Sequence, residues 1–327
     1  MYDTVKFVLT EEELDNKICF LEEVGSRITI TSHSERRVLG HIKNMKVEIK
    51  GTVLLVVGSL TKWFLGNNCE RYLKLHEVRF VIRTLSRALG VPIEKAKVKR
   101  MDVAFNFKVD KSPWVYMTKL LYSNGYHRSN IKKETLYFDK HDLQLVFYDK
   151  KREMCNDKNK DEELYEVFEG MNILRYECRF RKVTSIFKGI VRGEQLYEQS
   201  FCLLVLDKWY DCYEKIQKGY DEDFCSFRFD SKKNFELSCV AYCSAKLNFY
   251  DMLEEAFACR YIDSKNKYDI KEVLKKADEQ MKEVANGSPL IDELTKKIRG
   301  AYAMFKRQYN ISPDRMRVIN KFFDKGL

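Results

Sequence analysis

The sequence predicts an α+β protein: an antiparallel sheet with flanking helices over residues 1–192, followed by a mainly helical region over residues 193–327. Three observations carry this reading. Hydrophobic residues alternate at period two through much of the first half, the mark of strands that bury one face. One stretch within it, residues 69–89, changes to helical spacing. Beyond Gly193 the helical pattern is almost unbroken.

Val5, Phe7 and Leu9 open the alternation; Ile28 with Ile30, Val47 with Ile49, and the run Thr52 to Val57 continue it, so short hairpins are expected. A helix follows from about Cys69 to Leu89, because Leu75, Val78, Ile82, Leu85 and Leu89 form an apolar stripe and Gly90 stands at its end. Strands return from Val98 to Phe180, interrupted by a helix near Trp114 to Tyr122 and by the charged, glycine-free stretch Asn156 to Glu163, which reads as a solvated loop. Past Gly193 one irregular break is expected at Gly219 to Asn234. Ser288-Pro289 and Ser312-Pro313 then sign two helix starts, giving helices over about Pro289 to Tyr309 and Pro313 to Asp324.

Composition narrows the function classes. With 45% hydrophobic residues, 33% charged residues, 14 Gly and 4 Pro, the chain is too apolar and too poor in linker residues to be largely disordered. Its longest apolar runs, Val53 to Val57 and Cys202 to Leu206, fall far short of the ~20 residues a membrane span requires. No apolar signal core lies in Met1 to Thr10. The ten cysteines are scattered singly with no Cys-x-x-Cys pair, as in reduced proteins of the cytoplasm. A net charge of +10 favours a polyanionic partner, and the phosphate backbone of nucleic acid is the commonest one inside cells.

Three strands combine a core face with a polar face. In Arg100 to Phe107, Met101, Val103, Phe105 and Phe107 alternate with Asp102, Ala104 and Asn106. In Leu174 to Phe180, the polar positions are Arg175, Glu177 and Arg179. In Leu143 to Lys150, Tyr148 and Lys150 oppose Leu145 and Phe147, which places the lysine on the strand face of the tyrosine. Paired in one sheet, these strands would gather carboxylates, a tyrosine, a lysine and arginines on one open face; the same alternation also describes any half-solvated sheet.

The order and spacing of several segments resemble the replication initiators of filamentous phages and related phage or plasmid proteins. These are Ser59-x-x-Lys62-x-x-x-Gly66-x-Asn68, Arg100-x-Asp102, Tyr148-x-Lys150 and Leu174-Arg175-Tyr176-Glu177-x-Arg179, together with the opening Met1-Tyr2-Asp3-Thr4-Val5. The resemblance covers roughly residues 50–190. It implies a metal-dependent enzyme of rolling-circle replication that nicks and rejoins origin DNA, with a catalytic domain over 1–192 distantly related to the HUH endonucleases. No His-x-His pair occurs among His33, His41, His76, His127 and His141, so a metal would be held mainly by carboxylates, which suits Mg²⁺ or Mn²⁺.

The resemblance implies Tyr148 as nucleophile; Lys150, placed on the same strand face, is expected to stabilise developing negative charge, and Asp102 and Glu177, on the polar faces of their strands, are the first choices as metal ligands. Lys62, Asn68, Arg100, Arg175 and Arg179 are expected to contact DNA. Attack would leave a 5′-phosphotyrosine and a free 3′-hydroxyl, and reversal would reseal the strand without ATP. Tyr137 on the neighbouring strand is the alternative nucleophile. The implied partners are single-stranded or melted origin DNA and a helicase of the bacterial host, in whose cytoplasm the protein would work. The competing reading is a non-enzymatic DNA-binding protein, such as a partition factor or repressor, in which Tyr148 is dispensable.

Overall fold

In the computed structural model, residues 1–14, 18–69, 71–131, 134–156, 166–219, 228–284 and 288–309 are described. The strands are β1 (Tyr2–Thr10), β2 (Thr29–Ser34), β3 (Arg37–Ile42), β4 (Met45–Lys50), β5 (Val53–Ser59), β6 (Lys97–Val109), β7 (Leu120–Ser123), β8 (His127–Ile131), β9 (Thr135–Lys140), β10 (Leu143–Asp149), β11 (Asn172–Phe180) and β12 (Ile216–Lys218). The helices are α1 (Phe20–Glu23), α2 (Leu60–Leu65), α3 (Leu75–Leu89), α4 (Pro113–Thr118), α5 (Lys150–Asn156), α6 (Val183–Phe187), α7 (Gln199–Glu214), α8 (Lys232–Leu247), α9 (Phe249–Ala258), α10 (Ser264–Val284) and α11 (Pro289–Tyr309).

Ten strands form one sheet in the order β2-β3-β4-β5-β1-β6-β11-β10-β9-β8, with every neighbouring pair antiparallel. The meander β2 to β5 lies on one side and the strands β8 to β11 on the other; β1 and β6 join them at the centre. Period-two alternation dictates which face each residue takes. Val5, Phe7, Met101, Val103, Phe105, Phe147, Tyr176 and Phe180 point to one side and are buried. Helices α7 and α11 cover that side, so that Phe105 packs on Trp209 at 4.6 Å and on Phe305 at 4.9 Å. Tyr176 stacks on Phe147 at 4.5 Å, and its hydroxyl donates to the Trp209 carbonyl. The hydrophobic core of the sheet thus continues past residue 193 into α7 and α11. Helices α8, α9 and α10 form two small clusters apart from that core, one around Leu253 and Leu274 that takes in Leu121 of β7, and one around Ala277 and Met281. They meet the sheet edge at β8, where buried Arg128 is ion-paired with Asp251 and its Nε donates to the Leu120 carbonyl.

The expected α+β class and helical C-terminal region are present. Several boundaries differ. The helix expected from Cys69 begins at Leu75, where the Glu77 carboxylate accepts from the Lys74 N–H; it ends as expected at Gly90, in a left-handed conformation with φ 72°. The helix near Trp114 is only α4, and its last expected turn is β7, paired with the short β12. The strand expected to reach Lys150 stops at Asp149, whose carboxylate accepts the Arg152 N–H and starts α5. The helix expected over Pro313 to Asp324 and most of the charged stretch Asn156 to Glu163 lie outside the described residues.

Candidate active site

The other side of the sheet carries the polar residues singled out in the sequence. Cross-strand register puts Tyr148 directly opposite Arg175, and Arg175 opposite Asn106. One step along, Val146 lies between Tyr137 and Glu177, and Glu177 is opposite Ala104. The next row runs Asp139, Gln144, Arg179, Asp102. Tyr148, Glu177 and Asp102 therefore share one face across three adjacent strands, and Tyr137 lies on that face one strand further out.

Arg175 is the buried hub, 1% exposed. Its guanidinium donates to the Asp3 carboxylate at 2.5 Å, to Asn106 Oδ1 at 3.1 Å and to the Asn68 carbonyl at 3.4 Å. Asp3 also accepts from Ser59 Oγ at 2.6 Å and from Asn68 Nδ2 at 3.2 Å. Burial works against the Asp3 charge, but Arg175 and these two donors hold its carboxyl below the usual range. Tyr72 closes the cluster: its hydroxyl is hydrogen-bonded to the backbone of Asn106. Asn68 and Arg175, expected as DNA contacts, are thus both engaged inside the protein. Lys62 is half-buried in α2, its N–H capped by Ser59 Oγ at 3.1 Å.

Tyr148 is half-buried, and its hydroxyl has no hydrogen-bond partner among the described residues. Burial pushes its phenol well above 10; Arg175 opposes the shift, and Glu177, Glu153 and Asp3 add to it. Lys150 does not share a strand face with Tyr148, because the chain turns into α5 between them. Its ammonium, 2% exposed, pairs with Glu153 at 2.6 Å and also helps hold Asp3 ionised.

Asp102 is held by both ends of the Arg100 guanidinium, at 2.9 and 2.6 Å, and Glu177 by Arg179 at 3.1 Å; Arg179 also donates to Gln144 Oε1 at 3.1 Å. Burial, reinforced by the charge of Glu177 and opposed by Arg100, pushes the Asp102 carboxyl up to about 6. The two carboxylates fit a hard divalent cation in chemistry, since a cation between them would relieve that repulsion. They make two ligands and not a full set: no group of three His, Cys, Asp or Glu side chains that could hold a metal occurs among the described residues. The histidines stand elsewhere, His127 paired with Glu254 at 3.0 Å and His141 with Asp142 at 2.7 Å.

Sequence reasoning missed Asp3, Ser59 as its donor, Asn106 as a partner of Arg175, and Tyr72. The signal available was the opening Met1 to Val5 and the face of Asn106; nothing in either linked Asp3 to an arginine 172 residues away.

No curated protein and no solved structure matches the chain. The Phage_CRI family model, which describes the N-terminal region of a phage replication-associated protein, matches residues 1–191, a span that holds all ten strands of the sheet and every residue of this site. The chain therefore belongs to the Phage_CRI family of replication-associated proteins and is a replication initiator of the filamentous-phage type.

Proposed function

We propose that this initiator nicks and rejoins single-stranded or melted origin DNA through a covalent 5′-phosphotyrosine on Tyr148, in a nicking region of residues 1–192 whose core is completed by α7 and α11. The observation that carries this is the pairing of Tyr148, its hydroxyl unengaged, with Arg175 across one ladder, on the face that also holds Glu177 and Asp102. In the forward step the phenolic oxygen attacks the scissile phosphorus and gives up its proton, the P–O3′ bond breaks, and the 3′ oxygen takes a proton to become a hydroxyl. The reverse step regenerates the phosphodiester and the phenol, so no external energy source is consumed.

Burial, with the nearby carboxylates of Glu177, Glu153 and Asp3, keeps the phenol protonated, and Arg175 is the positive charge that favours its anion. Asp102 and Glu177 are the residues that would hold Mg²⁺ or Mn²⁺; the bound cation would withdraw charge from the phosphate. Arg100 and Arg179 would turn to phosphate as their carboxylates engage the cation, since both guanidinium groups remain partly exposed. Lys62 and the ammonium of Lys150 flank this end of the sheet; Asn68 shapes the site by holding Asp3.

Replacing Tyr148 by Phe removes one hydroxyl. Nicking of a labelled origin oligonucleotide is expected to fall below detection while its binding stays within about twofold. Retained cleavage in Tyr148→Phe, with loss in Tyr137→Phe, would move the nucleophile to β9.

A further inference from the structure

On the same face of the sheet, beyond Asp3, lies a groove of about 710 Å³. Register shows the continuity: Arg100 is opposite Lys6, Lys6 opposite Val57, Val57 opposite Lys46, and Lys46 opposite His41. Its floor is apolar, made by the half-buried Leu39, Leu55 and Val57; its rim is basic, made by Lys6, Lys43 and Lys46. None of these three lysines is ion-paired among the described residues. The acid in the lining, Glu48, is neutralised by Arg37 at 2.8 Å. Lys43 lies over the Trp63 ring at 4.8 Å, which fixes one end of the rim.

The groove is joined to the Tyr148 site through packed polar contacts. Asn44 Nδ2 donates to the Ser59 carbonyl at 2.8 Å, Ser59 Oγ donates to Asp3, and Asp3 is bound by Arg175, the cross-strand partner of Tyr148. The turn between β3 and β4 comes this close only because position 58 is glycine: a Cβ there would meet the Asn44 carbonyl oxygen at 2.8 Å and Met45 Sδ at 2.3 Å.

We propose that this groove binds the unpaired DNA strand that runs away from the phosphate Tyr148 attacks. The apolar floor takes the faces of bases, and the lysines on the rim take phosphates. Unpaired DNA is the occupant that matches both features, because a duplex hides its base faces and offers only its backbone and groove edges. From β4 to β10 the path crosses five strand spacings, about 24 Å, a distance covered by several nucleotides. The inference rests on the reading of Tyr148 as a DNA-nicking nucleophile.

The test uses the full chain, a labelled oligothymidylate long enough to span that distance, and affinities at several salt concentrations. The triple variant Lys6→Gln, Lys43→Gln, Lys46→Gln is expected to bind at least about tenfold more weakly near 0.1 M salt, with its salt slope reduced by about 2. Leu55→Glu, which puts a negative charge in the floor, is expected to weaken binding similarly. A control with the same charge change elsewhere, Lys232→Gln, Lys233→Gln, Lys265→Gln, is expected to match the wild type. Equal affinities and slopes for wild type and the groove variants overturn the proposal, as does a lysine dependence seen with duplex but not with oligothymidylate. Absence of a covalent adduct on wild-type protein, with lysine-dependent binding intact, would instead overturn the nicking reading and leave the groove standing.

Discussion

Arg175 carries its charge into the protein interior, which is tolerated only when the charge is paired and its donors are used. Asp3, Asn106 and Asn68 take the two terminal nitrogens, while Nε has no partner among the described residues, and removing the arginine strands the Asp3 carboxylate. Arg175→Met is expected to destabilise the fold by about 3–5 kcal/mol, read as a shift of the urea midpoint at constant slope. Asp3→Asn introduced into that variant is expected to add much less than it does alone; full additivity would mean the two side chains do not depend on each other. Asp102 makes a second claim at this scale. Its carboxyl, raised to about 6, is protonated at pH 5 and ionised at pH 7, so a reaction that needs the carboxylate gains rate as pH rises through 6. Glu177→Gln removes the like charge and is expected to move the Asp102 titration, followed by carboxyl NMR, to lower pH; no movement would show that burial alone sets it.

At the scale of elements, most strands were legible because they bury an apolar face, and the alternation of Met101, Val103, Phe105 and Phe107 records that directly; β2, exposed along its length, is the exception. The end of β10 was not legible. Tyr148 and Lys150 continue the polar alternation into a residue that is already helical, and the change is made by a local cap, Asp149 to the Arg152 N–H, which periodicity does not register. Strand β12 has three residues and owes its existence to β7, so no window of the sequence could show it. In the helical region, α10 buries Asp278, which accepts from Tyr250 Oη at 2.6 Å and whose carboxyl burial raises to about 7. A raised acid stabilises the fold while protonated, and that stability is lost as pH climbs from about 4 through 7. Amide exchange in α10 is therefore expected to be slower at pH 5 than at pH 8 after correction for the intrinsic rate, by on the order of 2 kcal/mol. Asp278→Asn is expected to remove the difference; an unchanged pH dependence would assign it to another group.

For the whole molecule, the sequence showed the kinds of element and the polar face, but not the order of strands. That β1 lies between β5 and β6 follows from pairings up to a hundred residues apart, and it is this placement that brings Asp3 to Arg175. The site is consequently assembled from the first strand, the segment after β5, and strands β6, β10 and β11, held over one core that extends into α7 and α11. If that assembly is a nicking centre, catalysis must leave a nucleotide on one particular side chain. The direct measurement is to incubate the protein with labelled single-stranded origin DNA and Mn²⁺ or Mg²⁺, denature it, digest it, and locate the attached nucleotide by mass spectrometry. The expected result is a phosphotyrosine link at Tyr148 that is absent in excess chelator and in Tyr148→Phe; cleavage of the DNA with no covalent product, or a link at any other residue, contradicts it.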